Sequence, residues 1–490
     1  MKTTVVVSQG LAYRLLAALA AAFLFLGTVK ATGVEDLVVY LLVVLCGLLP
    51  AALWIREGSV GIPILPILGL AHIIYYGLPV LSSDTILLEY TKDEIYTAAT
   101  TAALFLAVAS AGTLLHKRQR RQAASTGTDL LAERQMLRLM FIGMTFGTVM
   151  HAAVVTGLFL ELGAVFGLVR SITLTAFTLS CFLMGVTRGQ GILRGSAWAA
   201  AALLFVINLA LDWVSLFLVG GIVNAIAAGA GYVIATRRVP WAAGAGLLAA
   251  VFVLHAGKSQ MRDEYWLDGG NSGQAISLIE VPERIVQWAW TGVTTLGGGD
   301  PDADADAASI VGRASLLQML AMAQHHTPSN IDYLGGDTYA MFPQMLIPRF
   351  IVPDKPASQA AMDFLNRRYG LIAIDEDSKT AIGWGLLAES YANFGYYGVI
   401  AIGALLGLAS SAMTRWSSRG SAFSLRTLLT IAALMNLISL ETDFSYLIVN
   451  MWQTAISVLI FYGTYSLLLY REERQGNDQT LRAAAMRGRR

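Results

Sequence analysis

The chain has 490 residues, of which 56% are hydrophobic and only 14% charged, and its mean hydropathy is +0.59. This composition excludes a water-soluble globular protein and indicates an integral membrane protein. The formal net charge is only +1, and we expect no nucleic acid among the partners.

Apolar runs of about 20 residues recur along the chain, and each is long enough to cross the hydrocarbon core as a helix. No alternating, barrel-type strands accompany them, so the predicted fold is an all-α polytopic membrane protein. Twelve spans are predicted, near residues 11–30, 36–55, 60–81, 95–115, 136–157, 167–187, two within 196–235 that turn near Asp212, 240–257, 385–413, 427–441 and 446–469. The first lacks a usual cleavage site and is interpreted as a permanent span. Cys46 and Cys181 lie inside predicted helices and are interpreted as packing residues.

Basic residues in the connecting segments predict the orientation. Arginine-rich segments at 116–134, 237–238 and 415–426 are expected in the cytoplasm, which places both termini there. The chain then divides into nine N-terminal spans (1–257), one large periplasmic loop with short amphipathic helices (258–384), three C-terminal spans (385–470) and a basic cytoplasmic tail (471–490).

The large loop contains two predicted amphipathic helices, at 281–296 and at 313–326. Between them, residues 297–306 form a small, acidic run that is typical of a surface turn. Asp302 and Asp304 in this run match a D-x-D metal-binding pattern of glycosyltransferases, but we discount the match because nucleotide sugars are absent outside the membrane.

Cations collect in the same loop, against the usual bias toward the inner side. They are Lys258, Arg262, Arg313, Arg349, Lys355, Arg367 and Arg368. Any one of them is interpreted as an ordinary solvated residue paired with a nearby acid. At least two are expected to form an anion site, because guanidinium and ammonium groups bind phosphate oxygens.

Glu389 is the most informative carboxylate, because it lies near the outer end of a predicted span, where an ionisable group indicates function by default. It is our first candidate for a general base, with a helix-end ion pair as the alternative. His325 and His326 are second candidates, although solvent exposure at a helix end is the preferred interpretation of both. Adjacent helical positions point about 100° apart, so they are not expected to ligate one metal.

Aromatic and polar side chains around the loop are candidates for sugar contacts. The selected residues are Tyr265, Trp266, Tyr339, Tyr391 and Asn393. For most of the aromatic residues, a place in an interfacial belt is the preferred interpretation. The acidic pair Glu35 and Asp36 and the basic Arg170 also lie near outer span ends; Arg170 could contact a lipid phosphate or extend to the interface.

Three segments carry a resemblance to a known family. They are Lys258-x3-Arg262-x3-Trp266; Thr338-Tyr339 leading to Ile347-Pro348-Arg349 and Lys355-Pro356; and Glu389-x-Tyr391-x-Asn393-Phe-Gly395-x2-Gly398. In these segments the sequence resembles the bacterial O-antigen and exopolysaccharide repeat-unit polymerases of the Wzy type, which have ten to fourteen spans and one large outer loop.

The resemblance implies an integral-membrane (GT-C-like) glycosyltransferase in the bacterial inner membrane that needs no metal or other cofactor. It would transfer a glycan from undecaprenyl diphosphate onto the non-reducing end of a lipid-linked repeat unit at the periplasmic face. Lys258, Arg262, Arg349 and Lys355 would bind the diphosphate. The implied partners are undecaprenyl-diphosphate-linked oligosaccharides, membrane lipid, and the chain-length regulator and flippase of the same pathway.

Other functions remain open at this stage. An O-antigen ligase would use the same donor, and a transferase with a polyprenyl-monophosphate donor would depend on Glu35 and Asp36. A lipid-linked oligosaccharide flippase belongs to a different class, and it is expected to carry cations inside its spans rather than in one loop. A structural partner of the assembly machinery would tolerate loss of Glu389.

Overall fold

The computed structural model describes residues 7–82, 87–114, 133–158, 166–268, 276–297, 315–347, 351–352, 354–372, 382–422 and 424–463. Within those ranges the regular structure is helical and no strand is present. The helices are α1 (Gln9–Lys30), α2 (Val34–Arg56), α3 (Ile64–His72), α4 (Lys92–Leu114), α5 (Glu133–Val155), α6 (Phe166–Gly189), α7 (Gly195–Trp213), α8 (Val219–Thr236), α9 (Trp241–Ala256), α10 (Lys258–Arg262), α11 (Val281–Gly297), α12 (Leu317–His326), α13 (Asp337–Ala340), α14 (Phe342–Leu346), α15 (Ala360–Arg368), α16 (Gly385–Ser418), α17 (Leu425–Leu437) and α18 (Phe444–Gly463).

The predicted all-helical, multi-pass membrane fold is confirmed, and each predicted span coincides with a helix. Ten helices in the described ranges are long and apolar enough to cross a membrane. An eleventh span arises if α9 and the segment that begins at Lys258 are counted together, although the two are bent by 58°. The remaining predicted span is α17, which has only 13 residues.

The helices pack in two main groups. The first group joins α2, α3 and α4 to α12 and the first half of α16, and it buries Tyr40, Phe105 and Trp384. The second group joins α5, α6 and α8 to α17 and α18 around Phe182 and Met140. Both α3 and α16 contribute side chains to the two groups and so join them.

Small residues allow close helix contacts in both groups, as is usual inside membranes. A methyl group added at Gly407 of α16 would lie 2.0 Å from the Ala109 carbonyl oxygen of α4. One added at Gly185 of α6 would lie 1.9 Å from the Ala228 carbonyl oxygen of α8. Neither position has room for a side chain, so these glycines fix how closely the helices approach.

Short helices cover the end of the bundle at which α9 ends and α16 begins, here called the loop face. Both predicted amphipathic helices are confirmed as helices: α11 packs on α9, and α12 packs on α4 and α16. The predicted start of the second helix at Arg313 lies outside the described residues, which resume at Ser315. The acidic run 298–306, most of the basic loop 116–134 and the tail 471–490 lie outside them as well.

Candidate active site

A break in α16 creates the site. Gly395 has φ 59° and ψ −143°, a backbone conformation that only glycine adopts readily, and it interrupts the helical hydrogen bonding. The freed carbonyl groups of Ala392 and Asn393 accept hydrogen bonds from the backbone N–H groups of Leu334 and Gly335, at 3.1 Å each. The break therefore attaches the loop that precedes α13 to the spanning helix.

The side chain of Asn393 completes this attachment. Its amide nitrogen donates to the Thr338 hydroxyl at 2.9 Å and to the Glu389 carbonyl oxygen at 2.8 Å. Its amide oxygen accepts from the Gly336 N–H at 3.1 Å. Asn393 is fully buried, so its three hydrogen bonds position the loop instead of leaving the amide free to contact a sugar.

Glu389 lies one turn before Asn393 and is also fully buried. Its Oε2 accepts a 2.6 Å hydrogen bond from the backbone N–H of Phe444, the first residue of α18. Its Oε1 makes no hydrogen bond within the described part of the chain, although the Thr338 hydroxyl is close enough to act on the carboxyl group. One oxygen thus fixes the side chain, and the other remains available for a proton or a substrate hydroxyl.

A second buried carboxyl group lies beside the first. Asp443 precedes Phe444, and its Oδ1 caps α18 by accepting the Tyr446 N–H at 2.8 Å. Its Oδ2 is buried without a hydrogen-bond partner in the described residues. Burial raises the pKa of Asp443. Two adjacent buried carboxyl groups hold a shared proton more readily than two charges.

Tyr339 closes the cluster from the loop side. Its ring stacks on Phe394 with centroids 6.0 Å apart and meets the edge of Phe444 at 5.1 Å. Its hydroxyl is buried and unpartnered in the described residues. Burial, followed by the charges of Glu389 and Asp443, raises the pKa of Tyr339. The hydroxyl is therefore a donor near two carboxyl groups, in a site where three buried polar atoms lack hydrogen bonds.

A large groove adjoins this cluster and encloses about 860 Å³. Its walls come from α6, α14, residues 355–358, α17 and α18. The charged and amide side chains that line it are Arg170, Lys355, Asn436, Asn450 and Gln453. Leu174, Met435, Val449, Trp452 and Ile456 supply much of the apolar wall. The groove thus combines apolar surface with two cations.

Tyr446 connects the groove to the cluster, because its side chain lines the groove while its backbone N–H binds Asp443. Arg170 is exposed near the start of α6. Lys355 donates to the carbonyl oxygens of Met345 and Ile347, at 2.6 and 2.5 Å. A ligand that contacts Tyr446 would therefore lie about one helical turn from Asp443, whereas the carboxyl groups themselves do not line the groove.

Two other predicted diphosphate residues, Lys258 and Arg262, lie away from the groove. The Arg262 guanidinium donates to the Leu216 carbonyl oxygen at 3.2 Å and lies over the Phe217 ring, so it contacts the α7–α8 turn. The charge of Lys258 acts on Glu441, in the turn before α18. Arg349 lies outside the described residues. Of the predicted set, Lys355 lines the groove.

The predicted sugar-binding aromatic residues are also dispersed. Tyr265 donates to Gln287 at 2.7 Å and lies under Arg284 of α11. The side chain of Trp266 lies outside the described part of the structure. Tyr391 packs edge-on against Tyr333 and Tyr396. Of the predicted aromatic residues whose side chains the structure describes, Tyr339 alone lies in the carboxyl cluster.

His325 and His326 end α12, and their contacts are with the loop face. His325 Nδ1 lies 2.5 Å from Glu94 Oε1, and its side chain is 44% exposed. The ring of His326 packs near Tyr369, and burial together with the charge of His325 lowers the pKa of His326. The imidazole–carboxylate pair is a second candidate base, on a more exposed surface than Glu389.

Glu35 and Asp36, the acidic pair at the start of α2, lie in different environments. Asp36 is buried and accepts hydrogen bonds from Thr32 and, at 2.5 Å, from the Tyr96 hydroxyl, with Lys92 Nζ at 3.4 Å. Glu35 is exposed. The satisfied hydrogen bonds of Asp36 indicate that it joins α2 to α4.

Fold and site together define a polytopic, all-helical membrane protein with a buried carboxyl cluster near a groove between helices. Residues 135–469 match the family model described as Domain of unknown function (DUF8712), and the chain belongs to that family. The matched part contains the groove and the cluster, whereas Asp36 and Glu94 precede it. No curated protein and no solved structure matches the chain. Among the described residues, no group of three or more His, Cys, Asp or Glu side chains could hold a metal ion.

Proposed function

We propose that the protein is a membrane glycosyltransferase that polymerises lipid-linked oligosaccharide repeat units. The observation that carries the proposal is the buried Glu389, with one oxygen fixed by Phe444 and the other without a partner in the described residues beyond the nearby Thr338 hydroxyl. An ionisable group held inside a membrane protein is costly and indicates function. The nearby groove, which Tyr446 connects to the cluster, provides space for a substrate.

The groove suits a polyprenyl diphosphate. Its leucine, methionine, valine and tryptophan wall matches an isoprenoid chain, and Arg170 and Lys355 match a diphosphate. Diphosphate leaves with negative charge, and fixed cations stabilise that charge as it develops. The donor assignment therefore moves to Arg170 and Lys355, and the predicted roles of Arg262 and Arg349 stay predictions.

Glycan transfer then requires one base and one leaving group. The acceptor hydroxyl attacks the anomeric carbon as its proton passes to Glu389, and the bond from that carbon to the diphosphate oxygen breaks. Asp443 does not contact the substrate in this scheme. It shares the proton that Glu389 accepts and so stabilises the protonated pair. One displacement inverts the anomeric centre, so a product that retained the donor configuration would contradict the scheme.

The proposed setting is the bacterial inner membrane, with both termini in the cytoplasm and transfer at the outer face. Arginine in the segments before α5, between α8 and α9 and after α16 supports this orientation. The proposed partners are undecaprenyl-diphosphate-linked oligosaccharides, together with the flippase and chain-length regulator of the same pathway.

The test is glycan laddering in a strain that lacks the gene, complemented at matched membrane abundance. Wild type is expected to restore long chains, and Glu389→Gln is expected to leave single repeat units. Arg170→Gln and Lys355→Gln are expected to shorten the chains, because each removes one diphosphate contact. Arg284→Gln and Lys92→Gln are matched controls, since both remove a loop-face cation outside the groove.

The mutants also separate the alternative functions. Intact polymer that accumulates on undecaprenyl diphosphate would indicate a ligase. Repeat units trapped on the inner leaflet would indicate a flippase. Normal chain length in Glu389→Gln would reject Glu389 as the base and would direct attention to His325 and Glu94.

A further inference from the structure

A second polar cluster lies behind the groove, where α5, α6, α7 and α8 converge. Asp212 is buried, and its Oδ2 accepts from the Asn224 amide at 2.9 Å. Asn224 Oδ1 in turn accepts from the Thr178 hydroxyl at 2.7 Å. His151 Nδ1 lies 3.7 Å from Asp212 Oδ1. Because Thr178 also lines the groove, one chain of contacts connects the groove wall to an imidazole–carboxylate pair.

The packing of α5 on α6 places His151 near Arg170. A methyl group added at Gly147 would lie 2.6 Å from Phe177 Cβ, and one at Gly143 would lie 2.1 Å from the Ser180 hydroxyl. The two helices are therefore antiparallel, and one turn after Gly147 brings His151 opposite the first turns of α6. The Arg170 charge acts directly on His151, as this register requires.

Charge balance explains what such an arrangement can do. Arg170 and a protonated His151 repel each other, and Asp212 attracts both. An anion that binds Arg170 neutralises the nearest positive charge, so a proton on the His151–Asp212 pair becomes more favourable. By linkage, a proton on that pair then strengthens the binding of the anion to the same extent.

We propose that Arg170 binds an anionic phosphate group in the groove and that each binding event takes up one proton at the His151–Asp212 pair. The ligand is a lipid phosphate or diphosphate, whose chain lies along the apolar wall. Asn224 and Thr178 are positioning residues, because they orient Asp212 without contacting the anion. The inference rests on the groove of the proposed function, but it requires no glycosyl transfer.

The surroundings leave few other groups to take up the proton. On α6, the titratable or charged neighbours are Arg170 and the Cys181 thiol, on which Asp212 acts. From α7 the neighbours are Asp212 itself and the neutral Asn208, which acts on His151, and from α8 it is the neutral Asn224. The segment over the outer end of α5 presents apolar residues, Ile276 and Val281. The pair is thus the described group best placed to respond to Arg170.

The experiment is calorimetric titration of the full chain in detergent from about pH 5.5 to about pH 8.5. The probe is farnesyl methyl phosphate, a phosphodiester whose single charge does not titrate in that range. Dimethyl phosphate tests the headgroup alone, and farnesol tests the chain alone. Wild type is expected to bind the lipid phosphodiester up to about tenfold more tightly per pH unit of acidification, with about one proton taken up in buffers of different ionisation enthalpy.

His151→Gln and Asp212→Asn are expected to bind the probe with a flat pH profile and no proton uptake. Arg170→Gln is expected to lose most of the affinity, and His255→Gln is the control that should retain the wild-type profile. A flat profile in wild type, or an unchanged profile in folded His151→Gln, would overturn the inference. Absence of probe binding at every pH would overturn it too. The assay measures binding and not glycosyl transfer. Its failure is therefore distinguishable from failure of the proposed polymerase function, which the laddering experiment tests.

Discussion

Two carboxylates on spanning helices, Glu389 and Asp212, are both buried, but their partners differ. Glu389 is held by a backbone N–H and lies beside a second carboxyl group, Asp443. Asp212 is held by a side-chain amide and lies beside an imidazole. The first pair can share a proton with a substrate hydroxyl, and the second can balance a neighbouring arginine.

The difference teaches that burial alone does not assign a role to a membrane carboxylate. The two residues differ in their nearest titratable neighbour, which is acidic for Glu389 and basic for Asp212. They also differ in their position relative to the groove. In the described part of the chain, Oε1 of Glu389 has no partner beyond the nearby Thr338 hydroxyl, which leaves it able to accept a proton as a base does. Asp212 lies behind the groove wall, where it acts through His151 and Arg170.

The largest expected effect separates the two carboxylates in catalysis. Glu389→Gln is expected to reduce polymer formation by about a hundredfold to about ten-thousandfold, because it removes a general base without changing shape. Asp212→Asn is expected to retain transfer within about tenfold at a fixed pH, since Asp212 contacts no substrate. Polymer formation by purified protein from lipid-linked repeat units measures both. Equal losses in the two variants would end the distinction.

Backbone conformation should also distinguish the two regions. Gly395→Ala is expected to lower the free energy of unfolding by about 1–3 kcal/mol, because it forces a methyl group into a conformation with positive φ. That methyl group would also lie 2.9 Å from the Tyr333 hydroxyl. Gly220→Ala is the matched control, because its methyl group would lie 2.8 Å from Asp212 Oδ1 but its φ is not positive.

Thermal unfolding in detergent is the readout for this pair. Gly395→Ala should unfold at a clearly lower temperature than Gly220→Ala. If the two variants lost the same stability, the crowding of a side chain would explain both, and the break in α16 would contribute nothing of its own.

Asp443, the neighbour of Glu389, should make the free energy of unfolding depend on pH. The folded-state pKa of Asp443 is raised by burial, so its contribution to stability is full at low pH and is lost as the pH rises above about 4. Asp443→Asn is expected to flatten this part of the stability profile, because an amide does not ionise. Unfolding by denaturant at a series of pH values measures the slope. An unchanged slope would show that another group carries it.

A third carboxylate gives the smallest expected effect. Glu94 pairs with His325 at 2.5 Å, but their side chains are 32% and 44% exposed. His325→Gln is therefore expected to change the free energy of unfolding by less than about 1 kcal/mol. It should leave polymer formation within about tenfold of wild type if Glu389 is the base. A loss as large as that of Glu389→Gln would instead make His325 the base.

Much of the fold could be predicted from the sequence, because a span of about 20 apolar residues is a local signal. The same locality identified Glu389 and Asn393, which share one helix, and Tyr339, which lies in α13 a few residues before α14. Asn393 is predicted from the sequence to contact a sugar, but its amide group is hydrogen-bonded to the backbone of Gly336 and Glu389. These residues could be grouped before their contacts were known.

The rest of the site depends on packing between distant segments. Asp443 resembles an ordinary loop acid in sequence, and only the approach of α18 to α16 buries it beside Glu389. Arg262 and Lys355 lie in one loop in the sequence but in different parts of the structure. The segment of Arg262 packs with α11 against the α7–α8 turn, whereas Lys355 is hydrogen-bonded to α14 at the groove. His151 could have been selected by the rule that intramembrane ionisable residues indicate function.

The contact between Glu389 and Phe444 has a consequence for biosynthesis. The ribosome delivers α16 to the membrane before α18, so Glu389 must enter the bilayer before the N–H group that binds it exists. Until translation passes residue 444, the nascent chain carries this carboxyl group without its backbone donor. Completion of the site is therefore a late event in synthesis, and a ribosome-stalled chain that ends before α18 should be a better substrate for membrane quality control than one that ends after it.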